Sequence, residues 1–287
     1  MIGVIGLGAM GHGIAGTLVR GFKNVLVYDI DPAKMQTLVG AVSAESCKEV
    51  ARKCETIILS LPTSGVTVRV IEEELLPEVQ PETVIVDTGT TVVRETQRLC
   101  DGLKERGAHL LDAPVSGGPI GAARGSLLCF VGGDRDVAMS RWPLLKLLAG
   151  SRLTHCGPSG YGQIVKGVNQ LAMGLVEASY TEAMAYGVAS GVDPATILEA
   201  VSGGQGWRAD FGRVGSAIVG GTGEQLNCKY SEYDYFLDEA DRVGFDAPIL
   251  RAVKSYLSRY PETHIDNINR PYPPIWSALT GGSEPSR

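Results

Sequence analysis

The chain has 287 residues, 44% hydrophobic and 20% charged, with a formal charge of −6 at pH 7 and a pI near 5.3. That length and balance suit two globular domains or one large one, with a sizeable core. The acidic surplus, offset by no basic stretch, argues against a nucleic-acid backbone or an anionic membrane as partner.

The N-terminal MIGVIGLGAMG enters a strand at once, with no signal-peptide pattern. No apolar run reaches the roughly 20 residues of a membrane span. The six cysteines are irregularly spaced, lack a CxxC pair and read as reduced packing thiols. A cytoplasmic protein is expected. His12, His109, His155 and His264 show no metal-site spacing, so no metal is expected.

In chain order, Ile2–Ile5 is an apolar run, then glycine-rich sequence leads into a helical stretch to about Gly21. Further apolar runs cover residues 24–28 (NVLVY), 56–60 (TIILS), 83–86 (TVIV), 108–111 (AHLL) and 127–131 (LLCFV). Helix-like segments at 66–76 and 92–106 lie between them. Strands alternating with helices predict a mostly parallel, doubly wound α/β sheet. The pattern changes near residues 157–162 (GPSGYG). From 163 to about 189 no strong breaker interrupts a helix, giving roughly 40 Å at 1.5 Å per residue. Segments 194–201, 230–243 and 248–260 also read as helical. The expected division is therefore residues 1–161, α/β, and residues 162–287, all-α. The terminal GGSEPSR reads as disordered.

Gly6-Leu7-Gly8-Ala9-Met10-Gly11 is a GxGxxG. With 37 glycines a chance match is easy, and a structural turn is the plain alternative. Its setting favours a dinucleotide. The first glycine allows the tight turn, the second lets backbone approach a pyrophosphate, and the third packs helix on strand. Ala9 and Met10 then open a helix whose N-terminus faces the anion. Asp29 follows at the end of the next apolar run, suited to the adenosine ribose hydroxyls. A carboxylate there repels a 2′-phosphate, and the next residue is Ile30, not Arg, so NAD is expected over NADP. Residues 60–63 (SLPT) and 87–91 (DTGTT) also fall beyond strand ends, where open parallel sheets bind ligands; ordinary turns are the alternative. In residues 112–119 (DAPVSGGP), Ser-Gly-Gly offers a hydroxyl and close-spaced N–H groups that suit a carboxylate, or else a flexible turn.

One lysine, Lys166, stands in the first turns of the long, mostly apolar helix. Alone it would read as a snorkelling surface side chain. Asn169 and Gln170 share its face at helical spacing. GLGAMG, DAPVSGGPIGAARGSL and GQIVKGVNQ occur in series, and together they resemble the β-hydroxyacid dehydrogenase family. That family includes 3-hydroxyisobutyrate dehydrogenase and tartronate semialdehyde (2-hydroxy-3-oxopropionate) reductase, and is related to 6-phosphogluconate dehydrogenase.

The resemblance implies a Rossmann domain followed by an all-helical domain, joined by a long helix, with the active site in the cleft between. It implies hydride transfer between NAD(H) and a short 3-hydroxy acid or its semialdehyde. Lys166 matches the catalytic lysine, and an ammonium there can move the proton if its pKa is brought down from about 10.4 by burial or a neighbouring cation. Ser116, Gly117 and Gly118 match the substrate-carboxylate loop, with Asn169 or Gln170 assisting. Leu61, Pro62 and Thr90 match positions lining the cofactor. A homodimer or homotetramer is implied.

The chain also departs from the family. Asn169-Gln170 replaces the common Asn-Asn and is closer to the tartronate semialdehyde reductases. The family's Lys-Asp pair near the cofactor falls in register on Ser231-Glu232, while Lys229 can supply the ammonium two residues early. Trp207 suits either a pocket wall or a core, and Trp276 falls near an acidic family position. The rival readings are an imine reductase-like enzyme and a non-catalytic dinucleotide-binding protein on the same fold. A decarboxylating sugar-phosphate enzyme fits less well, because its helical domain is much longer.

Overall fold

A computed structural model describes residues 1–281, so the expectation for GGSEPSR falls, apart from Gly281, outside the described residues. The chain divides into two compact units, Met1–Gly167 and Val168–Arg287.

The first unit runs β1 (Ile2–Ile5), α1 (Ala9–Gly21), β2 (Val25–Tyr28), α2 (Pro32–Gln36), β3 (Val42–Ser43), α3 (Cys47–Lys53), β4 (Thr56–Leu59) and α4 (Ser64–Arg69). It continues with β5 (Val84–Asp87), α5 (Val93–Lys104), β6 (His109–Asp112), β7 (Val115–Ser116), α6 (Gly118–Arg124), β8 (Leu128–Gly132), α7 (Arg135–Ala149) and β9 (Leu153–Gly157). The strands form one sheet in the order β3-β2-β1-β4-β5-β6-β8-β7, with β9 on β8. Pairing is parallel from β3 through β6. It turns antiparallel at β6–β8, through the pair Asp112↔Gly132. The chain steps outward from β1 to β3 and returns with β4 on the other side of β1. This reversal is the switch point at which such sheets take ligands.

The sheet is buried on both faces, which is why its strands read as apolar runs rather than alternating ones. Side chains alternate faces along a strand, and the packing divides accordingly. Val4, Val27, Ile58 and Val86 pack with Ile14 and Leu18 of α1 and Leu148 of α7. Their neighbours Ile5, Leu26, Ile57 and Ile85 pack with Val50 of α3 and Leu99 and Leu103 of α5. All six cysteines are free. Burial pushes the Cys47 and Cys129 thiols up to about 12 and Cys54 up to about 11, as expected of packing groups.

Three details differ from the sequence reading. The helix expected over 66–76 starts at Ser64, with the Thr63 hydroxyl capping it, and passes into a π-helical turn at Val70–Leu75. The strands expected at 83–86, 108–111 and 127–131 each lie one residue later. Helix α7 was not foreseen. Pro143 lies inside it, a residue that normally signals a break.

Helix α8 (Tyr161–Ala189) gives residues 161–167 to the first unit and 168–189 to the second. Its glycines permit close approach: a Cβ on Gly174 would lie 2.1 Å from the Cys228 carbonyl oxygen. The second unit continues with α9 (Pro194–Val201), α10 (Trp207–Val219), α11 (Tyr233–Val243), α12 (Pro248–Leu257), β10 (His264–Ile265), β11 (Pro271–Tyr272) and α13 (Ile275–Thr280). The helix expected from 230 begins as a 3₁₀ turn, Tyr230–Glu232, before α11. The expected all-helical region also carries the short antiparallel pair β10–β11. Trp276 is core, packed with Met184, Phe211 and Ile218. Trp207 is not: it is 52% exposed, with the Arg208 guanidinium 4.5 Å from its ring. Among the described residues no helix is long and apolar enough to cross a membrane.

Candidate active site

The glycine turn joins β1 to α1, and its three glycines meet different constraints. Gly6 has φ +89°, and a Cβ there would lie 2.3 Å from the Ser60 carbonyl oxygen beyond β4. A Cβ on Gly11 would lie 1.9 Å from the Gly6 carbonyl oxygen. Both must be glycine for the turn to close. Gly8 differs, since a Cβ there meets nothing within 4 Å. Gly8 is the N-cap of α1 and brings no side-chain cap, whereas α3, α4, α7 and α9 are capped by Ser46, Thr63, Asp134 and Asp193. Open space before an uncapped 13-residue helix fits a pyrophosphate. Ala9 is exposed and Met10 half-buried at that opening.

Asp29 follows β2 and is 7% exposed. One carboxylate oxygen accepts from Leu7 N–H at 2.6 Å, so the residue braces the glycine turn from inside. The other accepts from Asp31 N–H at 2.9 Å and from Lys34 Nζ at 3.3 Å. Ile30 beside it is 89% exposed.

The loops after β4 and β5 lie on the other side of the switch point. Leu61 is half-buried and Pro62 exposed. In residues 87–91 the buried Asp87 ties down the turn, accepting from Gly89 N–H at 2.9 Å and Thr91 Oγ at 2.6 Å. Thr90 between them is 7% exposed. Gln163, on the first turn of α8, grips the same loop. Its Oε1 accepts from Thr91 N–H at 3.1 Å, and its Nε2 donates to the Gly89 carbonyl at 3.0 Å.

Asp112 ends β6 and is fully buried. It caps α8, accepting from Gly160 N–H at 2.8 Å and Gln163 N–H at 3.0 Å. Burial dominates those hydrogen bonds and pushes its carboxyl up to about 7. One turn after Gln163, Lys166 is 6% exposed, and its Nζ donates to the Val115 carbonyl at 2.7 Å. Val115 leads straight into Ser116, Gly117 and Gly118. Gly117 (φ +130°) and Gly118 (φ +64°) both require a backbone that favours glycine, and a Cβ on Gly118 would point into open space. The first unit thus brings the lysine, the Ser-Gly-Gly loop and the cofactor-edge turns into one framework.

In the second unit, Asn169 and Gln170 are engaged with each other, Asn169 Nδ2 donating to Gln170 Oε1 at 3.0 Å. Gln170 Nε2 donates to Glu232, which forms a buried ion pair with Arg270 at 2.6 Å. Glu232, which the resemblance puts in register with the family acid, is therefore engaged in a buried ion pair. Lys229 has a left-handed backbone, φ +62°, and its N–H donates to Asn227 Oδ1 at 3.0 Å.

Sequence reading assigned no role to Asp112, Gln163, Glu232 or Arg270 as a network. Asp112 and Gln163 lie inside the recognised motifs, which was the available signal. A cavity of about 520 Å³ is lined in part by Lys104, His109, Asp134, Arg135 and Ser159, the last of these next to the Gly160 that Asp112 holds.

Residues 1–157 match the family model described as the NAD binding domain of 6-phosphogluconate dehydrogenase. Residues 160–264 match the one described as NAD-binding of NADP-dependent 3-hydroxyisobutyrate dehydrogenase. The chain is 35% identical to 2-hydroxy-3-oxopropionate reductase of Escherichia coli, covering 71% of this chain and 70% of that protein. It is 32% identical to NAD-dependent L-serine dehydrogenase of Pseudomonas aeruginosa, covering 72% and 71%. The fold is shared with 3-hydroxyisobutyrate dehydrogenase of Mycobacterium tuberculosis, solved with L-serine, with a TM-score of 0.79 over 98% of both chains at 23% identity.

Proposed function

We propose that the chain, which belongs to the β-hydroxyacid dehydrogenase family and is an oxidoreductase acting on CH–OH with an NAD(P)-binding domain, uses NAD to interconvert a short 3-hydroxy carboxylic acid with its semialdehyde or ketone, with Lys166 as general acid and base. The observation that carries this reading is the buried Lys166 ammonium 2.7 Å from the Val115 carbonyl, at the entry to the Ser116-Gly117-Gly118 loop.

The chemistry follows from that arrangement. A nicotinamide held beside Leu61, Pro62 and Thr90 would supply the hydride chemistry, as acceptor in oxidation and donor in reduction. As a neutral amine Lys166 keeps one N–H on the Val115 carbonyl and retains a lone pair for the substrate hydroxyl proton. As an ammonium it returns that proton to the carbonyl oxygen. The Ser116 hydroxyl and the Gly117 and Gly118 N–H groups hold the substrate carboxylate, and Asn169 assists. Gln170, already bonded on both sides, acts by orienting Asn169. Gly6, Gly8 and Gly11, with the backbone at Ala9 and Met10, form the pyrophosphate turn, and Leu61, Pro62 and Thr90 line the nicotinamide half. Lys229 supplies a cation to the cofactor.

Asp29 supports NAD over NADP, because its carboxylate repels a 2′-phosphate. The substrate class is a three- or four-carbon hydroxyacid, in line with the relatives named for L-serine and 2-hydroxy-3-oxopropionate. The reading extends to a cytoplasmic homodimer or homotetramer, which light scattering of the purified protein checks.

The test is cofactor reduction at alkaline pH with 3-hydroxyisobutyrate, glycerate, 3-hydroxypropionate, L-serine and threonate, each with NAD and with NADP. Turnover on at least one acid, faster with NAD, is expected. No turnover on any acid while cyclic imines are reduced would transfer the chain to the imine reductase reading.

A further inference from the structure

Gln163 is a buried polar side chain that the proposed chemistry leaves without a task. It is 2% exposed, on the first turn of α8. Both ends of its amide are used, and both on one loop: Oε1 takes Thr91 N–H at 3.1 Å and Nε2 gives to the Gly89 carbonyl at 3.0 Å. The side chain therefore straddles Thr90 as a neighbouring strand would. Its backbone N–H is held in turn by Asp112. Lys166 is three residues on, where helical spacing puts it on the same side of α8.

Loop 87–91 is anchored from several sides, among them by Thr88, whose Oγ donates to the Leu59 carbonyl of β4 at 2.6 Å. Asp87 ties the loop to itself, through Gly89 N–H and Thr91 Oγ. Gln163 ties the loop to the helix that carries the lysine. A buried amide with both ends satisfied is directional, and it fixes position more closely than apolar contact does.

We propose that Gln163 is a positioning residue that sets the nicotinamide-side loop at Thr90 in register with Lys166, so that hydride and proton transfer meet at one substrate carbon and oxygen. The proposal rests on the dehydrogenase reading for its last clause and on hydrogen bonds within the first unit for the rest. It separates the two halves of the cofactor site. The adenosine half is served by Asp29 after β2 and does not depend on Gln163. The nicotinamide half lies across the switch point, beyond β4 and β5, and does.

The experiment is calorimetric binding of ADP-ribose and of NADH to the full chain and to the Gln163→Leu variant. Leucine has similar bulk and neither donates nor accepts. ADP-ribose affinity is expected to stay within about twofold, while NADH affinity falls about fivefold or more, each fold-change being a difference in positioning alone. A general loss of structure would weaken both ligands alike, and that result overturns the proposal, as does no change in either. Should Gln163→Leu fail to fold, Gln163→Glu serves. It keeps the acceptor for Thr91 N–H and sets a second acceptor against the Gly89 carbonyl, so the same selective loss of NADH is expected.

Where wild type turns over a hydroxyacid, Gln163→Leu should lower kcat about tenfold or more. The KM for the acid should stay within about threefold, and the primary isotope effect from the acid deuterated at its carbinol carbon should rise as hydride transfer becomes limiting. An unchanged isotope effect with unchanged kcat contradicts the proposal. Wild type that binds NADH but oxidises no hydroxyacid sinks the substrate reading only, and the paired binding measurement still decides the role of Gln163.

Discussion

Two buried polar clusters in this chain are built on opposite plans. In the first unit Asp112, Gln163 and Lys166 direct their polar atoms to backbone groups of other segments: Gly160, Thr91, Gly89 and Val115. In the second unit Gln170, Glu232 and Arg270 bond to one another. The first plan holds loops in place and keeps a lysine beside a glycine loop. The second plan uses an ion pair to fix the packing of the turn before α11 against the segment before β11. The difference teaches that burial of charge alone does not mark a reactive group; the partners decide.

The sharpest break of this comparison is Arg270→Met, which leaves Glu232 buried without its cation. Removing one partner of a buried pair costs about 3–5 kcal/mol, read as a lower urea midpoint. Replacing both residues with apolar ones should recover much of that loss, because the desolvation of both charges is then removed.

Next in size is the contrast between two glycines of one turn. Gly11→Ala drives a Cβ to 1.9 Å from the Gly6 carbonyl and should cost about 1–3 kcal/mol or more of stability. Gly8→Ala meets no protein atom within 4 Å, so thermal stability should hold while NADH affinity falls about tenfold, reflecting a methyl group in the pyrophosphate approach. Equal effects on stability would refute the division of labour within GxGxxG.

A third test concerns pH. The Asp112 carboxyl is raised from 3.8 to about 7 in the fold. Its favourable contribution is therefore complete below pH 3.8 and is lost as pH rises through about 7. Asp112→Asn retains an acceptor for the α8 N–H groups and does not ionise. Its melting temperature relative to wild type should be lowest at pH 4.5 and should improve by pH 7.5. A difference that is flat with pH would mean the carboxyl is not perturbed.

The smallest effect is expected at Lys34, half exposed and 3.3 Å from Asp29. Such pairs are worth about 0–1 kcal/mol. Lys34→Ala leaves the Asp29 charge uncompensated and should sharpen the preference for NAD over NADP by about two- to fivefold, measured as the ratio of kcat/KM values.

Much of the first unit was legible because its constraints are local. Gly6, Gly8 and Gly11 announce a turn, the apolar runs at β1, β2, β4 and β5 announce a buried parallel sheet, and Asp29 stands at the right distance from the turn. The role of Gln163 was not legible. The motif that contains it names no partner, and Thr91 is 72 residues away. The Glu232–Arg270 pair likewise joins residues 38 apart, so the register that puts Glu232 at an acidic family position says nothing of its partner. Helix α7 was hidden by Pro143, because a proline tolerated inside a helix carries the same sequence signal as one that ends it.

The central claim is that Lys166 moves the proton, and the most direct measurement is turnover of wild type beside Lys166→Ala on one accepted hydroxyacid, with NADH affinity measured in parallel. A general acid and base contributes about 10²- to 10⁴-fold, so kcat should fall by that factor while NADH affinity stays within about threefold. Equal turnover in the two proteins, with NADH bound equally, would remove Lys166 from the chemistry and contradict the account.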